Sequence, residues 1–264
     1  MHAYERVASE LAQEIREGRW PAGTALPTIP ELMERFDVSR ITVRGGLDDL
    51  MAQGLVYTGW ADNRRGTIVR GLGRSEHFAT DALRSDRPAS PTDAFVENAR
   101  RIGREPGKRF TMSMAPAPEE IAERLGVAKD ALVVIRTTVQ LLDGEPWARE
   151  RSFYERGLAE LVGLDVPRDI PEGTIRALAA AGHREIAYTD EVTDESAGPS
   201  EVDDLGVPAG APLLVQTRTA ASAERITRVT QFHRLGRRVT LCWELGDDAG
   251  LEIIRAARPA STAN

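Results

Sequence analysis

Apolar residues recur at helical spacing from the start of the chain. Val7, Leu11 and Ile15 stand at i, i+4 and i+8, while Glu5, Glu10 and Glu14 take other faces, which predicts an amphipathic helix over residues 4–17. Gly18 stops it, and Pro21-Ala-Gly23 turns the chain. Thr28-Ile-Pro-Glu31 predicts a second helix start: Thr28 caps the free N–H groups, Glu31 returns the bond, and Pro30 is tolerated in the first turn. Leu32, Met33 and Phe36 give this helix its apolar side. Asp37-Val38 turns the chain again, and Ser39 caps a third helix running to about Gln53, with Val43, Leu47, Leu50 and Met51 on one face and Gly54 at its end. Two β-type runs follow, Leu55-Val-Tyr57 and Thr67-Ile-Val69, joined by a hairpin loop over residues 61–66.

Beyond residue 74 the pattern changes. Residues 75–92 contain Pro88 and Pro91 and read as a linker. From residue 93, strands are predicted over 110–114, 131–142, 148–154, 186–193, 213–220, 226–234 and 239–245, with helices over 118–125, 170–181 and 200–205. This is an α+β fold with a largely antiparallel sheet. Residues 247–264 end in small and polar residues and are expected to be a flexible tail. The division is therefore 1–74, linker 75–92, 93–246 and tail, with no internal repeat.

Charge sharpens this division. The chain has 264 residues, 34 Lys+Arg and 41 Asp+Glu, a formal net charge of −7. Taken alone, that argues against nucleic acid as a partner. Residues 1–74, however, hold ten Arg against ten Asp+Glu, so the whole excess lies in 75–264. Within the first part, Arg64, Arg65, Arg70 and Arg74 cluster against Asp62 alone. No apolar run approaches the ~20 residues needed to span a bilayer, and no leader pattern is present. The single Cys242 permits no intrachain disulfide, which points to a reducing, cytoplasmic setting.

Helix, helix, tight turn, helix and a two-stranded wing within about 70 residues is the order of a winged helix-turn-helix. Arg40 and Arg44, four apart, share a face of the third helix at its N-terminal end, opposite the docking residues Val43, Leu47 and Leu50. There an Arg can bond guanine bidentately or bond phosphate, and Thr42 can reach a base methyl or a phosphate. Asn63-Arg-Arg-Gly66 places two guanidiniums at a hairpin tip, suited to the minor groove or the backbone.

Tyr4-Glu-Arg-Val-Ala-Ser-Glu-Leu, Pro21-Ala-Gly-Thr-Ala-Leu-Pro27, Phe36-Asp-Val-Ser-Arg-Ile-Thr-Val-Arg44 and Arg65-Gly-Thr67 closely resemble the DNA-binding domain of the GntR family of transcription regulators. The resemblance covers residues 4–70 and implies a dimeric, operator-binding regulator. It gives Arg40, Thr42 and Arg44 base- and phosphate-contacting roles, Thr28 a backbone-contacting cap and Gly66 the wing tip. Ser39, Arg64, Arg65 and Thr67 complete the candidate DNA-binding set. Two departures stand out. Pro30 occupies the place of a DNA-contacting Arg, and Gly45-Gly46 replaces better helix formers at ~1 kcal/mol each. They imply a softened recognition helix and an operator off the family consensus. A sensor that has lost DNA binding is the alternative they raise.

Phe95-Val-Glu97, Ala122-Glu-Arg-Leu-Gly126, Val134-Ile-Arg136, Asp143-Gly-Glu-Pro146, Tyr188-Thr-Asp-Glu-Val192 and Leu205-Gly-Val-Pro-Ala-Gly210 resemble the UTRA effector-binding domain of the HutC-type branch, similar in fold to chorismate lyase. In sugar-phosphate-sensing relatives two Arg and a hydroxyl residue hold the charged ligand; here those places read Thr138, Gln140 and Val96. A phosphate buried without such donors would cost several kcal/mol, so the expected effector is not a sugar phosphate. Glu150 keeps the family's ligand-bonding place, and Arg136, Tyr154, Arg218, Phe232 and Arg234 are candidate pocket lining. The four His show no metal spacing, Cys242 reads as a core residue, and no nucleotide-binding or nucleophile motif is present. The sequence thus predicts a non-enzymatic, cofactor-free, ligand-responsive repressor acting as a homodimer on a palindromic operator. A lyase-like enzyme is the rival that the second fold raises.

Overall fold

The computed structural model describes residues 2–61, 64–71, 75–80 and 93–257. Asp62, Asn63, Arg74, residues 81–92 of the expected linker and residues 258–264 of the expected tail lie outside the described residues. The chain divides into two compact units. The first comprises Met1–Arg84, Ser196–Pro212 and Leu235–Asn264, the second Ser85–Glu195 and Leu213–Arg234.

In the first unit, helices α1 (Ala3–Arg16), α2 (Ile29–Phe36) and α3 (Arg40–Ala52) pack around Val7, Leu11, Leu32, Val43, Leu47 and Leu50, all nearly or wholly buried. The antiparallel hairpin β1 (Val56–Ala61) and β2 (Arg64–Val69) closes this core through Val56 and Val69. Glu14 fastens the bundle. Its carboxylate accepts from Arg35 at 2.5 and 3.0 Å, from Trp20 at 3.0 Å and from Arg19 at 2.7 Å. The bond from Arg35, aided by Trp20 and Arg19, overcomes burial and holds the Glu14 carboxyl down at about 2.

Gly46 has a steric reason to be glycine. A Cβ there would stand 2.9 Å from Val7 Cγ1 and 3.1 Å from the Tyr4 carbonyl oxygen, so α1 and α3 meet at closer range than any side chain allows. At Gly45 the nearest atom would be Tyr4 Cβ at 3.4 Å, an ordinary contact. The sequence expectation counted a lost propensity at both positions; at Gly46 tight packing of α1 against α3 offsets it.

The rest of the first unit comes from distant sequence. Strand β3 (Ser75–Phe78) pairs in parallel with β10 (Val239–Cys242). Residues 75–78, expected as linker, are thus a strand, because a partner about 160 residues away satisfies their backbone. Helix α9 (Asp248–Ala257) occupies the first part of the expected flexible tail; Leu251 is buried and Arg255 pairs with Glu244. Helix α8 (Pro199–Leu205) ends against the hairpin. The Gly206 carbonyl accepts from the Thr58 N–H at 3.1 Å, and the Leu205 carbonyl accepts from Arg70 Nη2 at 3.0 Å.

The second unit is built on a six-stranded sheet ordered β4-β5-β6-β9-β8-β7: β4 Pro106–Pro116, β5 Leu132–Leu142, β6 Glu145–Glu155, β7 Ala187–Ser196, β8 Pro212–Ala221 and β9 Ile226–Leu235. The β4-β5, β5-β6 and β6-β9 pairs are antiparallel. Helix α5 (Glu119–Leu125) covers Val133, Ile135, Phe153 and Val229 on one face. Helices α6 (Arg156–Val162) and α7 (Thr174–Ala180) cover Val134 and Tyr154 on the other. The helix expected over 170–181 begins only at Thr174, since Pro171 and Gly173, with φ of 87°, hold the chain out of helical geometry. Helix α4 (Ala94–Arg101) is capped by Asp93, whose carboxylate accepts from the Val96 N–H at 2.9 Å.

Candidate functional site

The first candidate surface lies at the N-terminal end of α3 and on the hairpin. Ser39 has extended backbone and its Oγ accepts from the Thr42 N–H at 3.2 Å, so it caps the helix as its sequence position predicts. The Thr42 hydroxyl lies 2.9 Å from that same Oγ, which turns it back onto the cap. Thr28 donates to the Glu31 carboxylate from its N–H at 2.6 Å and its hydroxyl at 2.7 Å. These two bonds hold the Glu31 carboxyl below its usual range, with a smaller contribution from Arg64. Pro30, second in α2, fits the helix start without strain.

Arg40, Arg44, Arg64 and Arg65 are all exposed, and none reaches a carboxylate at ion-pair distance among the described residues. Arg64 and Arg65 stand across the hairpin from Ala61 and Trp60. Thr67, half-buried, lends its carbonyl to the Leu26 N–H at 2.8 Å. Gly66 carries no fold-imposed reason to lack a side chain: a Cβ there would meet nothing nearer than Ala25 Cβ at 4.0 Å. Two residues that the sequence reasoning passed over also belong to this surface. Ile41 is 83% and Trp60 71% exposed. No local pattern marks them, because an apolar residue in a helix or a hairpin reads by default as core.

The second candidate surface is one face of the six-stranded sheet. Register places Arg136, Ser152 and Thr230 in one cross-strand row, Thr138, Glu150 and Phe232 in the next, and Gln140, Ala148 and Arg234 in a third. The outer rows are largely buried, whereas Thr138, Glu150 and Phe232 keep accessible surface. Glu150 accepts from Gln140 Nε2 at 2.9 Å and Ser152 Oγ at 3.3 Å. Burial raises its carboxyl above the usual range, against a smaller opposing effect of Arg228. Val96 lies on α4 and not in these strand rows, and Arg218 is joined bidentately to Asp190 at 2.6 and 2.7 Å.

The cations around this face are engaged internally. Arg136 donates to the carbonyls of Leu164, Val166 and Arg168 at 2.8, 3.2 and 2.7 Å and lies over the Phe110 ring. Burial lowers its pKa. Arg228 binds Glu185 at 2.8 and 3.2 Å; burial opposes its charge, but Glu185 prevails and the pKa is raised. Lys108 pairs with Asp93 and Asp169, which outweigh the effect of burial and raise its pKa. Arg234 donates to Gln216 at 3.2 Å and stacks on Phe232, and burial brings it down to about 10. Tyr154 is fully buried, and burial raises its phenol. Neither Arg228 nor Glu185 was a candidate from sequence, because their partnership spans 43 residues.

Among the described residues no helix is long and apolar enough to cross a membrane, and no cluster of His, Cys, Asp and Glu is arranged to hold a metal.

Comparison with known proteins places both surfaces in context. The model of bacterial regulatory proteins of the gntR family matches residues 3–69, and that of the UTRA domain matches residues 102–239. The chain is 28% identical over 247 residues to the HTH-type transcriptional repressor NagR of Bacillus subtilis, covering 89% of this chain and 95% of that one. It is 27% identical over 241 residues to an HTH-type transcriptional regulator of Mycobacterium tuberculosis, covering 88% and 81% respectively. In fold it is similar to the crystal structure of PhnF from Mycobacterium smegmatis, with a TM-score of 0.55 at 21% identity, covering 92% of this chain and all of that one. The sequence expectations of a GntR-type reader, a UTRA domain and an α+β fold are borne out. The chain belongs to the gntR family of bacterial regulatory proteins, in the branch that carries a UTRA domain, and is a DNA-binding, ligand-responsive transcription regulator.

Proposed function

We propose that this regulator is a cytoplasmic repressor that binds a palindromic operator as a homodimer and is released by a small molecule other than a sugar phosphate. Helices α1 to α3 with the β1-β2 hairpin form the reader, and the six-stranded sheet with its covering helices forms the sensor. Arg40 and Arg44 enter the major groove from the N-terminal end of α3. Arg64 and Arg65 lie along the backbone or minor groove, where Gly66 lets the hairpin approach closely. Thr28, Ser39 and Thr42 fix the helix ends that present these groups. The supporting observation is the set of four exposed arginines, none at ion-pair distance from a carboxylate among the described residues, on one helix end and one hairpin.

The effector enters over Thr138, Glu150 and Phe232. Glu150 has accepting capacity left for ligand hydroxyl or amine donors. Arg136, Arg218 and Arg234 stabilise the walls, Tyr154 closes the inner end, and Val96 contributes from α4. Arg136 and Arg218 are committed to carbonyls and to Asp190, and Thr138, Gln140 and Val96 add no cation, so a dianionic phosphate has only Arg234, buried and bonded to the Gln216 amide, to offset its desolvation. Homologues that are transcription regulators favour a non-enzymatic role.

Selection of bound fragments from random duplex DNA by the full chain tests the first part. An inverted repeat with half-sites about one helical turn apart is expected; failure to enrich any sequence overturns the proposal. Thermal-shift titration with hexoses and hexose 6-phosphates tests the second, and a midpoint raised selectively by the phosphate esters contradicts it.

A further inference from the structure

Ile41 occupies an odd position for an aliphatic side chain. It stands in the first turn of α3 between Arg40 and Thr42, on the side away from Val43, Leu47 and Leu50. At 83% exposure it is the most exposed large apolar residue among those described. It therefore contributes nothing to the core, and a polar residue there would leave the packing unchanged. Its neighbours Arg40 and Arg44 are the exposed guanidiniums of the reading surface. Thr42, whose methyl and hydroxyl suggested a base contact, has its hydroxyl turned back onto Ser39 at 2.9 Å. Ile41 is then the apolar group at the tip of the recognition helix.

The floor of the DNA major groove offers one apolar group, the thymine C5 methyl. On the reading of α3 as the recognition helix, we infer that Ile41 is a specificity-determining residue that packs against one thymine methyl in each half-site. Arginines bonded to phosphate or guanine supply affinity and register, and Ile41 adds a preference for thymine over cytosine at one position.

The test uses the full chain and the duplex recovered by fragment selection, with each thymine replaced in turn by deoxyuridine, which lacks only the methyl. One thymine per half-site is expected to weaken wild-type binding about fourfold on replacement, the worth of one buried methyl. Ile41→Ala is expected to bind thymine and deoxyuridine duplexes equally, at the weaker level. Its melting temperature should match wild type, since the side chain is exposed. Indifference of the wild type to every replacement, or an Ile41→Ala protein that keeps the thymine preference, overturns the inference. An absence of any selected duplex strikes the DNA-reading assignment itself and the inference with it. Loss of binding on Arg40→Ala beside an indifferent Ile41→Ala leaves that assignment standing and removes Ile41 alone.

Discussion

The arginines of the two units do opposite work. On α3 and its hairpin, Arg40, Arg44, Arg64 and Arg65 are exposed with no carboxylate at ion-pair distance among the described residues; Arg44 and Arg64 act only at longer range, on Asp48 and Glu31. On the six-stranded sheet, Arg136, Arg218, Arg228 and Arg234 are at most 4% exposed and bonded to carbonyls, carboxylates or an amide. An exposed guanidinium gains little from the fold and remains available to a polyanion. A buried one is desolvated, so the fold must satisfy it. On the proposed reading of α3 and the hairpin, this is how a chain of net charge −7 reads DNA: what matters is which cations are uncommitted.

The contrast is most open to attack at the buried pair. Arg228→Met leaves Glu185 buried without its partner and is expected to destabilise the fold by about 3–5 kcal/mol, read by urea unfolding. A loss below ~1 kcal/mol would mean that the sheet arginines are as uncommitted as the reader's. Next in size is the pair of adjacent glycines. Gly46→Ala forces α1 from α3 and should cost about 1–3 kcal/mol, whereas Gly45→Ala should stabilise by about 0.5–1 kcal/mol through helix propensity. Equal effects in thermal melts would remove the packing explanation.

The acid limb comes third. The Glu14 carboxyl is held at about 2 against an ordinary value of 4.5. Its contribution is therefore fully present above about 4.5 and is lost as pH falls through 2. Because Arg19 and Arg35 are partly solvent-screened, Glu14→Gln should remove only about 1–2 kcal/mol of it at neutral pH and flatten the acid limb of the stability curve. The smallest effect belongs to Arg65→Ala. It should weaken binding a few-fold on every sequence and lower the salt slope by about one per protomer, about two for the dimer, with no change in melting temperature.

Legibility from sequence followed the range of the interactions. The caps at Thr28 and Ser39 and the three helices of the reader depend on neighbours a few residues apart, and they stand where the pattern put them. The pairing of β3 with β10 and the helix α9 depend on partners that no local window contains, so the local pattern predicts a linker where a strand forms and a flexible tail where a helix forms. The same holds for side chains. Glu150, Thr138 and Gln140 are candidates only through the resemblance to the UTRA domain; strand register puts Thr138, Glu150 and Phe232 in one row, but the capture of Arg136 by three carbonyls of the 164–168 loop follows only from the tertiary fold. Gly46 looked like a defect because close approach of α1 leaves no mark in the spacing.

Arg40→Ala tests the contrast most directly, measured at once for melting temperature and for affinity to the selected operator by fluorescence anisotropy. An unpartnered arginine that reads DNA predicts an unchanged melting temperature together with a loss of roughly 1–3 kcal/mol of specific binding in each half-site. Operator affinity retained within twofold, or a melting temperature that falls with the affinity, would contradict the account.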